Sequence, residues 1–289
     1  MDIQTFIQVC INALLLGGMY AVISVGLNLI FGVLKIINFA HGELIMLGMY
    51  SAYWLVTLYN LNPYISIPIV AVLMFLVGVV IERVLIKPIL KAPEVNQLLT
   101  TAALILVLQN LALILWRADY RGVSVYVPTI ILGTLYIPGT RLVAFVGGLT
   151  TSLTLYYVLM KTDVGRRIRA VAQDPEIASV LGINVSVIQT LTFGLGALLT
   201  GIAGTLLIPI YMVNPMVGGT FGLIAWIIIV LGGLGSFVGA LIGSFIIGFI
   251  EAFVGALISL EIARVVAFMI FIAILFIKPT GLFGEKVRV

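Results

Sequence analysis

An all-α polytopic membrane protein with about eight to ten crossings is the fold class this sequence predicts, and three observations predict it. Hydrophobic residues fill 62% of the 289 positions and charged residues only 9%, whereas a water-facing surface needs roughly a quarter of charged residues or more. The apolar residues fall in successive runs that reach the ~20 residues a helix needs to cross the hydrocarbon core. Ten of the 15 basic residues sit in three short gaps between or after those runs. Alternation in strand-like blocks is absent, which disfavours a β-barrel. The net charge of +4 reads as orientation signals beside helix ends rather than as affinity for nucleic acid.

The candidate spans are 6–31, 42–58, 64–82, 97–116, 142–160, 187–209, 222–258 and 262–277. The first lacks a basic leader and is longer than a signal-peptide core, so it reads as a true span. The basic gaps are Glu82–Glu94, with Arg83, Lys87 and Lys91; Lys161–Glu176, with Lys161, Arg166, Arg167 and Arg169; and the tail, with Lys278, Lys286 and Arg288. The excess of basic residues on the inner side of membranes puts all three in the cytoplasm. Arg117, Arg121 and Arg141 then fall outside, against that rule. Residues 222–258 are too long for one span and are interrupted by Gly232-Gly233-Leu234-Gly235-Ser236, as a broken helix, a re-entrant element or two short crossings. Nine crossing equivalents and an external N-terminus follow. Residues 122–140 read as a short external hairpin or lid, with turns at Pro128 and Pro138-Gly139. Pro209, Asn214-Pro215 and Gly218-Gly219 mark another external connection. With no flexible linker, residues 1–289 read as one membrane domain that includes a cytoplasmic loop at 161–186.

The most unusual interruption is Asn38-Phe39-Ala40-His41-Gly42-Glu43. Ionisable groups at membrane depth are expensive and usually face a bundle interior or a polar path. Residues i and i+2 point to different sides of a helix, so His41 and Glu43 suit a break, which Gly42 would permit. Glu43 would occupy the first turn of the next helix, where the dipole favours a carboxylate. The plainer alternative is a cap at the cytoplasmic interface. One histidine and the single Cys10 supply neither a metal-ligand set nor a disulfide, and no catalytic triad is evident.

The second interruption runs from Gly165 to Gly182. Asp174 is an N-cap candidate, Pro175 suits the first helical position, Glu176 complements the dipole, and Gly182 stops the helix. The product is a short amphipathic helix with Ile177, Val180 and Leu181 free to meet a partner. The third feature is a ladder of small residues. Gly235, Gly239 and Gly243 form one row, and Ser236, Ala240, Ser244, Gly248, Ala252 and Ala256 the next, as for close helix packing in lipid. Glu251 near its end reads as an external-boundary residue beside Glu261 and Arg264, and Gln109-Asn110 as interhelical hydrogen-bond partners. No phosphate-binding G-x-x-x-x-G-K-[ST] loop occurs.

Taken together, Gly26–Phe31 with Ile37–Glu43, then Gly165–Gly182, Gly232–Glu251 and the closing Lys278–Gly284 resemble the permease subunits of branched-chain amino acid ABC transporters. The resemblance covers essentially the whole chain. It implies a multi-pass inner-membrane subunit that is not itself an enzyme and carries no cofactor or metal. Implied partners are a second, distinct permease, two cytoplasmic ATPases, an external solute-binding protein and the surrounding lipid. Asn38, His41, Gly42 and Glu43 would belong to the translocation path. Arg166, Arg167, Arg169, Asp174, Pro175, Glu176 and Gly182 would belong to the ATPase-coupling element, and Gly235, Gly239, Gly243 and Gly248 to helix packing. The cargo could instead be urea, an amide or another amino acid. A stand-alone secondary transporter or channel would need an ion site and matching features in both halves.

Overall fold

The computed structural model describes residues 1–278 and 280–284; Pro279 of the closing motif, with Lys286 and Arg288, lies outside the described residues. The helices are α1 (Ile3–Leu34), α2 (His41–Tyr59), α3 (Pro63–Ile81), α4 (Lys87–Ile89), α5 (Glu94–Trp116), α6 (Gly139–Lys161), α7 (Asp163–Gln173), α8 (Pro175–Val180), α9 (Val185–Leu207), α10 (Val217–Gly232), α11 (Phe237–Leu257) and α12 (Leu260–Ile277). A π-helical stretch, Glu82–Ile86, joins α3 to α4. Seven rods are long and apolar enough to cross a membrane: α1, residues 63–89, α5, α6, α9, α11 and α12. The protein is therefore an all-α polytopic membrane protein. α10 is a shorter apolar helix, and α2 carries His41 and Glu43 in its first turn.

Ends are set locally. Asn62 caps α3, accepting from Tyr64 N–H at 2.9 Å ahead of Pro63, and Asn184 caps α9 through Val187 N–H at 3.2 Å. A hairpin is present where the sequence predicts one, as β1 (Ile130–Leu132) antiparallel to β2 (Leu135–Ile137). Gln8 pins it to α1, giving and taking hydrogen bonds of 2.8 Å with the Tyr136 backbone.

α1 is the axial element, with 83% of its apolar window buried, against 22% for α5 and 11% for α12. Lipid tails supply no hydrophobic drive between helices, so small residues that let backbones approach dominate such contacts. Gly17 of α1 meets Phe245 and Gly248 of α11, Gly26 meets Gly196 of α9, and Gly204 of α9 meets Gly48 and Met49 of α2.

Two breaks organise the interior. After α1, Lys35 adopts a left-handed conformation and returns its N–H to Phe31. Residues 35–38 are non-helical and a turn at 39–40 leads into α2. His41 Nε2 then lies 3.1 Å from the Ile23 carbonyl. Ile23 precedes the end of α1 by about 16 Å of helix rise. The connection thus runs back along α1, and α2 starts well inside the bundle rather than at an interface. Its backbone is satisfied from side chains: Thr101 Oγ1 donates to Ile37 O at 2.9 Å, and Asn38 Oδ1 accepts from Ala40 N–H at 3.1 Å.

The second break, Gly233–Ser236, divides the long run 222–258 into α10 and α11. Gly233 and Gly235 have φ of 109° and 82°, a region that side chains with a Cβ avoid. Ser236 starts α11 by accepting from Gly239 N–H at 3.1 Å. This corrects the small-residue ladder. Gly235 lies in the turn and gives its N–H to Asn28 Oδ1 at 2.8 Å. The helical row begins at Gly239, which with Gly243 abuts the backbone of Gly232 and Ile228, while Gly248 abuts Ala13 and Gly17 of α1.

Candidate functional site

Three helices meet at Glu43. It occupies the first turn of α2, is 1% exposed, and its Oε1 accepts from Gln109 Nε2 of α5 at 2.9 Å. Its other oxygen has no partner among the described residues. The carboxylate lies directly over Gly218 in the first turn of α10, where a Cβ would collide with it. One residue earlier, Gly42 packs on the Gly218 carbonyl and on Gly222, whose Cα would stand 2.7 Å from a Gly42 Cβ. The N-termini of α2 and α10 therefore converge inside the bundle. Each carries the equivalent of about half a positive charge, and one carboxylate lies between them.

Of the residues that the sequence singles out here, His41 and Glu43 diverge as their i, i+2 spacing requires. His41 turns to α1 and Glu43 to α5 and α10. The non-helical segment, however, ends at Ala40. Gly42 is helical, and what its missing side chain provides is room for α10, not freedom for a break. Asn38 Nδ2, His41 Nδ1 and Glu43 Oε2 are all buried without a hydrogen-bond partner. Unmet buried groups are rare and call for a functional or structural reason. Three of the ten such atoms among the described residues fall within these six positions.

Sequence reasoning missed α10's share. Gly218 reads as part of an external connection, yet it sits inside the helix against Glu43. The legible signal is the four-residue spacing of Gly218 and Gly222, which permits close approach. α10 also keeps one open stripe, formed by Met216, Gly219 and Leu223 with Trp226 half-buried. Phe39, 41% exposed, tilts against the Trp226 ring at 5.6 Å. The polar junction thus stands behind an apolar, partly aromatic face.

Glu251, read as a boundary residue beside Arg264, is buried and accepts a hydrogen bond from the Tyr20 hydroxyl of α1. Glu82, at the edge of a basic gap in the sequence, is fully buried and accepts from Thr190 Oγ1 of α9 at 2.6 Å.

At the end carrying the basic segment 161–182, the expected short helix is α8. Asp174 Oδ1 accepts from Glu176 N–H at 2.8 Å and Ile177 N–H at 3.0 Å, with Pro175 next in line. Gly182 has φ of 83°, and Ile183 N–H returns to Ala178 O at 3.0 Å, which closes the helix as a left-handed C-terminal cap does. Ile177, Val180 and Leu181 are 60%, 87% and 72% exposed, while Ala178 is buried. The preceding residues form a further helix, α7, whose Ile168 and Val171 are buried. Two of the three arginines are engaged within the chain: Arg166 pairs with Asp163, and Arg169 donates to the Leu159 carbonyl. Arg167 is exposed. No cluster of metal-ligating side chains is present among the described residues.

The family model for the permease component of branched-chain amino acid transport systems matches residues 9–275. The high-affinity branched-chain amino acid transport permease BraD of Pseudomonas aeruginosa is 30% identical, over 98% of this chain and 97% of its own length. Its Escherichia coli counterpart LivH is 31% identical, over 97% and 96%. A probable LivH of Methanocaldococcus jannaschii is 28% identical, over 94% and 91%. No solved structure gives a significant match. A bundle of apolar rods with a broken-helix interior, matched end to end by these relatives, belongs to the branched-chain amino acid transport permease family and is a multi-pass protein of the cell membrane.

Proposed function

We propose that this chain is the pathway-forming subunit of an ABC importer for leucine, isoleucine and valine, paired with a second, distinct permease. Two cytoplasmic ATPases would drive it and an external solute-binding protein would feed it. The observation that carries the reading is that a polar break inside the bundle and an uncovered, doubly capped helix share one element. α9 starts directly after α8, bonds Glu82 through Thr190 and packs along α2 as far as Met49. A push on α8 is delivered to the helix that begins at the polar junction.

The chemistry suits a zwitterion with an apolar side chain. Helix N-termini favour a carboxylate, an intramembrane carboxylate favours an ammonium group, and an apolar stripe tolerates the side chain. ATP binding to the partner subunits would move α8. The α2–α10 junction would then part, and Glu43 and the unmet groups of Asn38 and His41 would face the path. Arg167, Asp174, Pro175, Glu176 and Gly182 serve the ATPase contact. Hydrolysis belongs to the partners.

Co-purification of the tagged chain from its native membrane tests this, with every stoichiometric partner identified by mass. Two ATPases, a second permease and an amino-acid-binding protein are expected. Recovery of the chain alone, still moving solute in liposomes without ATP, would overturn the reading in favour of a secondary transporter or channel.

A further inference from the structure

Three more of the buried, unmet atoms gather toward the far ends of α2 and α5: Tyr50 Oη, Trp54 Nε1 and Arg121 Nε. Tyr50 and Trp54 follow Glu43 by seven and eleven residues and so share its face of α2, as Trp116 shares that of Gln109 on α5. Two turns beyond the Glu43–Gln109 contact, Tyr50 stacks on Trp116 with ring centroids 4.1 Å apart. Beyond that stack lies Arg121. Its guanidinium carbon sits 5.6 Å from the Tyr53 ring and 5.2 Å from that of Trp54, and its backbone exchanges hydrogen bonds of 2.9 and 2.7 Å with Val213. The polar contacts of the guanidinium fall on one nitrogen. Nη2 donates to Trp116 O at 3.1 Å and faces Asp119, itself 66% exposed, at a loose 3.5 Å. The arginine side chain is 22% exposed, so a solute can reach it. A guanidinium with spare donors, held among aromatic rings, suits a carboxylate. The preference for basic residues in the cytoplasm does not explain an arginine at the end of α9 away from the basic segment 161–182.

We propose that Arg121 is an entry site that takes the carboxylate of an apolar amino acid, with the Tyr53 and Trp54 rings bordering its side chain and the Tyr50–Trp116 stack separating this station from Glu43. This rests on the importer reading above and deepens it. α9 runs from α8 to Leu207, and Val213 follows six residues later, so Arg121 and α8 stand at opposite ends of α9. An importer receives its cargo at the end away from its ATPases. Along α2, Glu43 lies about 10 Å of helix rise from Tyr50 and about 16 Å from Trp54. One amino acid, whose carboxylate and ammonium share a carbon, cannot reach Arg121 and Glu43 together. The two charges therefore act in turn, the guanidinium on the carboxylate and then Glu43 on the ammonium. Val213 also leads within four residues into α10, whose first turn holds Gly218 against Glu43. Occupation of the Arg121 site and parting of the α2–α10 junction thus act on one short segment.

The test uses the assembled transporter in proteoliposomes, with Asp119→Cys in a Cys10→Ser background, Cys10 being the chain's single cysteine. Labelling is read on the peptide that carries position 119. A thiol beside Arg121 should react about three- to tenfold faster with an anionic methanethiosulfonate than with a cationic one. Leucine and isocaproate, which share the carboxylate and the side chain, should slow that labelling, and leucinol, which lacks the carboxylate, should not. Adding Arg121→Gln should abolish both the preference and the protection, and Arg121→Lys should keep part of each. Arg121→Gln alone should lower ATP-driven leucine uptake per folded transporter by about tenfold with little change in melting temperature, whereas loss of a merely structural arginine would lower both. If Arg121→Gln does not assemble, the contrast between leucine and leucinol on Asp119→Cys decides. Equal protection by leucinol, no protection at all, or normal uptake by Arg121→Gln would remove the entry site. Protection by leucine in a transporter whose wild type shows no ATP-driven leucine uptake would leave the site standing and sink the importer reading.

Discussion

The two breaks in the bundle solve the same problem in opposite ways. Both interrupt helices inside a membrane protein, where every freed backbone group needs a partner. At Gly233–Ser236 several of the freed backbone groups find partners within the chain. Leu282 and Phe283 N–H bond the Leu231 and Gly232 carbonyls at 2.9 Å, Ser236 N–H bonds Gly233 O at 3.0 Å, and Asn28 takes Gly235 N–H. No side-chain polar atom of that turn is left buried and unmet among the described residues. At 35–43 the reverse holds. The backbone is served by Thr101 and Asn38, while three side chains carry unmet capacity. A closed break is a corner; an unsatisfied one, facing two helix N-termini, is a place where a ligand has something to bind.

The sharpest way to break the contrast is steric. Gly42→Val puts a branched side chain against the backbone of Gly218 and Gly222, and overpacking of this kind costs on the order of 3 kcal/mol. Loss of the monodisperse peak in detergent is expected, whereas Gly219→Val, with open space around it, should purify normally. Wild-type behaviour of Gly42→Val would mean that the α2–α10 contact is not tight.

Next comes chemistry without collapse. Glu43→Ala removes the acceptor of Gln109 and the carboxylate that lies at the junction, and uptake should fall by on the order of tenfold, ~1.4 kcal/mol, with the ATPases still co-purifying. Normal uptake would reduce Glu43 to a helix cap. At the other end of α9, Asp174→Arg with Glu176→Arg should leave insertion intact and separate ATP hydrolysis from transport. Asp174→Ala alone should cost about 1 kcal/mol of local helix stability, visible as faster hydrogen exchange in α8 only. Unchanged uptake in the double variant would remove α8 from the coupling route.

The sequence made the rods, both breaks and the caps of α8 legible, because each rests on local chemistry. Span length follows from apolar runs, Asp174-Pro175-Glu176 is a self-contained N-terminus, and glycines mark a corner. What it hid was depth and partnership. Nothing local says that the chain after Lys35 doubles back along α1, and so the Asn38–Glu43 motif reads equally as an interfacial cap. Gly218 looks like loop because its role, room for the Glu43 carboxylate, belongs to a residue 175 positions away. Gly235 looks like a rung of the ladder because spacing alone cannot report its φ of 82°. Glu251 and Glu82 look peripheral because their partners, Tyr20 and Thr190, are distant in the chain. α7 was concealed by its charge, although Ile168 and Val171 three residues apart mark its buried stripe.

The smallest expected effect bears most directly on the comparison. Asn28→Ala deletes the side-chain hydrogen bond by which α1 reaches into the second break, while the cross-tail bonds from Leu282 and Phe283 remain. A single lost hydrogen bond is worth about 1 kcal/mol, so the melting temperature should drop by a few degrees and uptake per folded transporter should stay within about twofold. Asn38→Ala is its counterpart in the first break, since Asn38 likewise caps one backbone N–H, that of Ala40, through its Oδ1. The two asparagines make the same kind of bond in the same kind of place, so a purely structural account predicts equal losses. Asn38 differs in that its amide nitrogen is fully buried without a partner among the described residues. Uptake per folded transporter should therefore fall further in Asn38→Ala than its stability does, and proportional losses in both variants would make the first break a corner like the second.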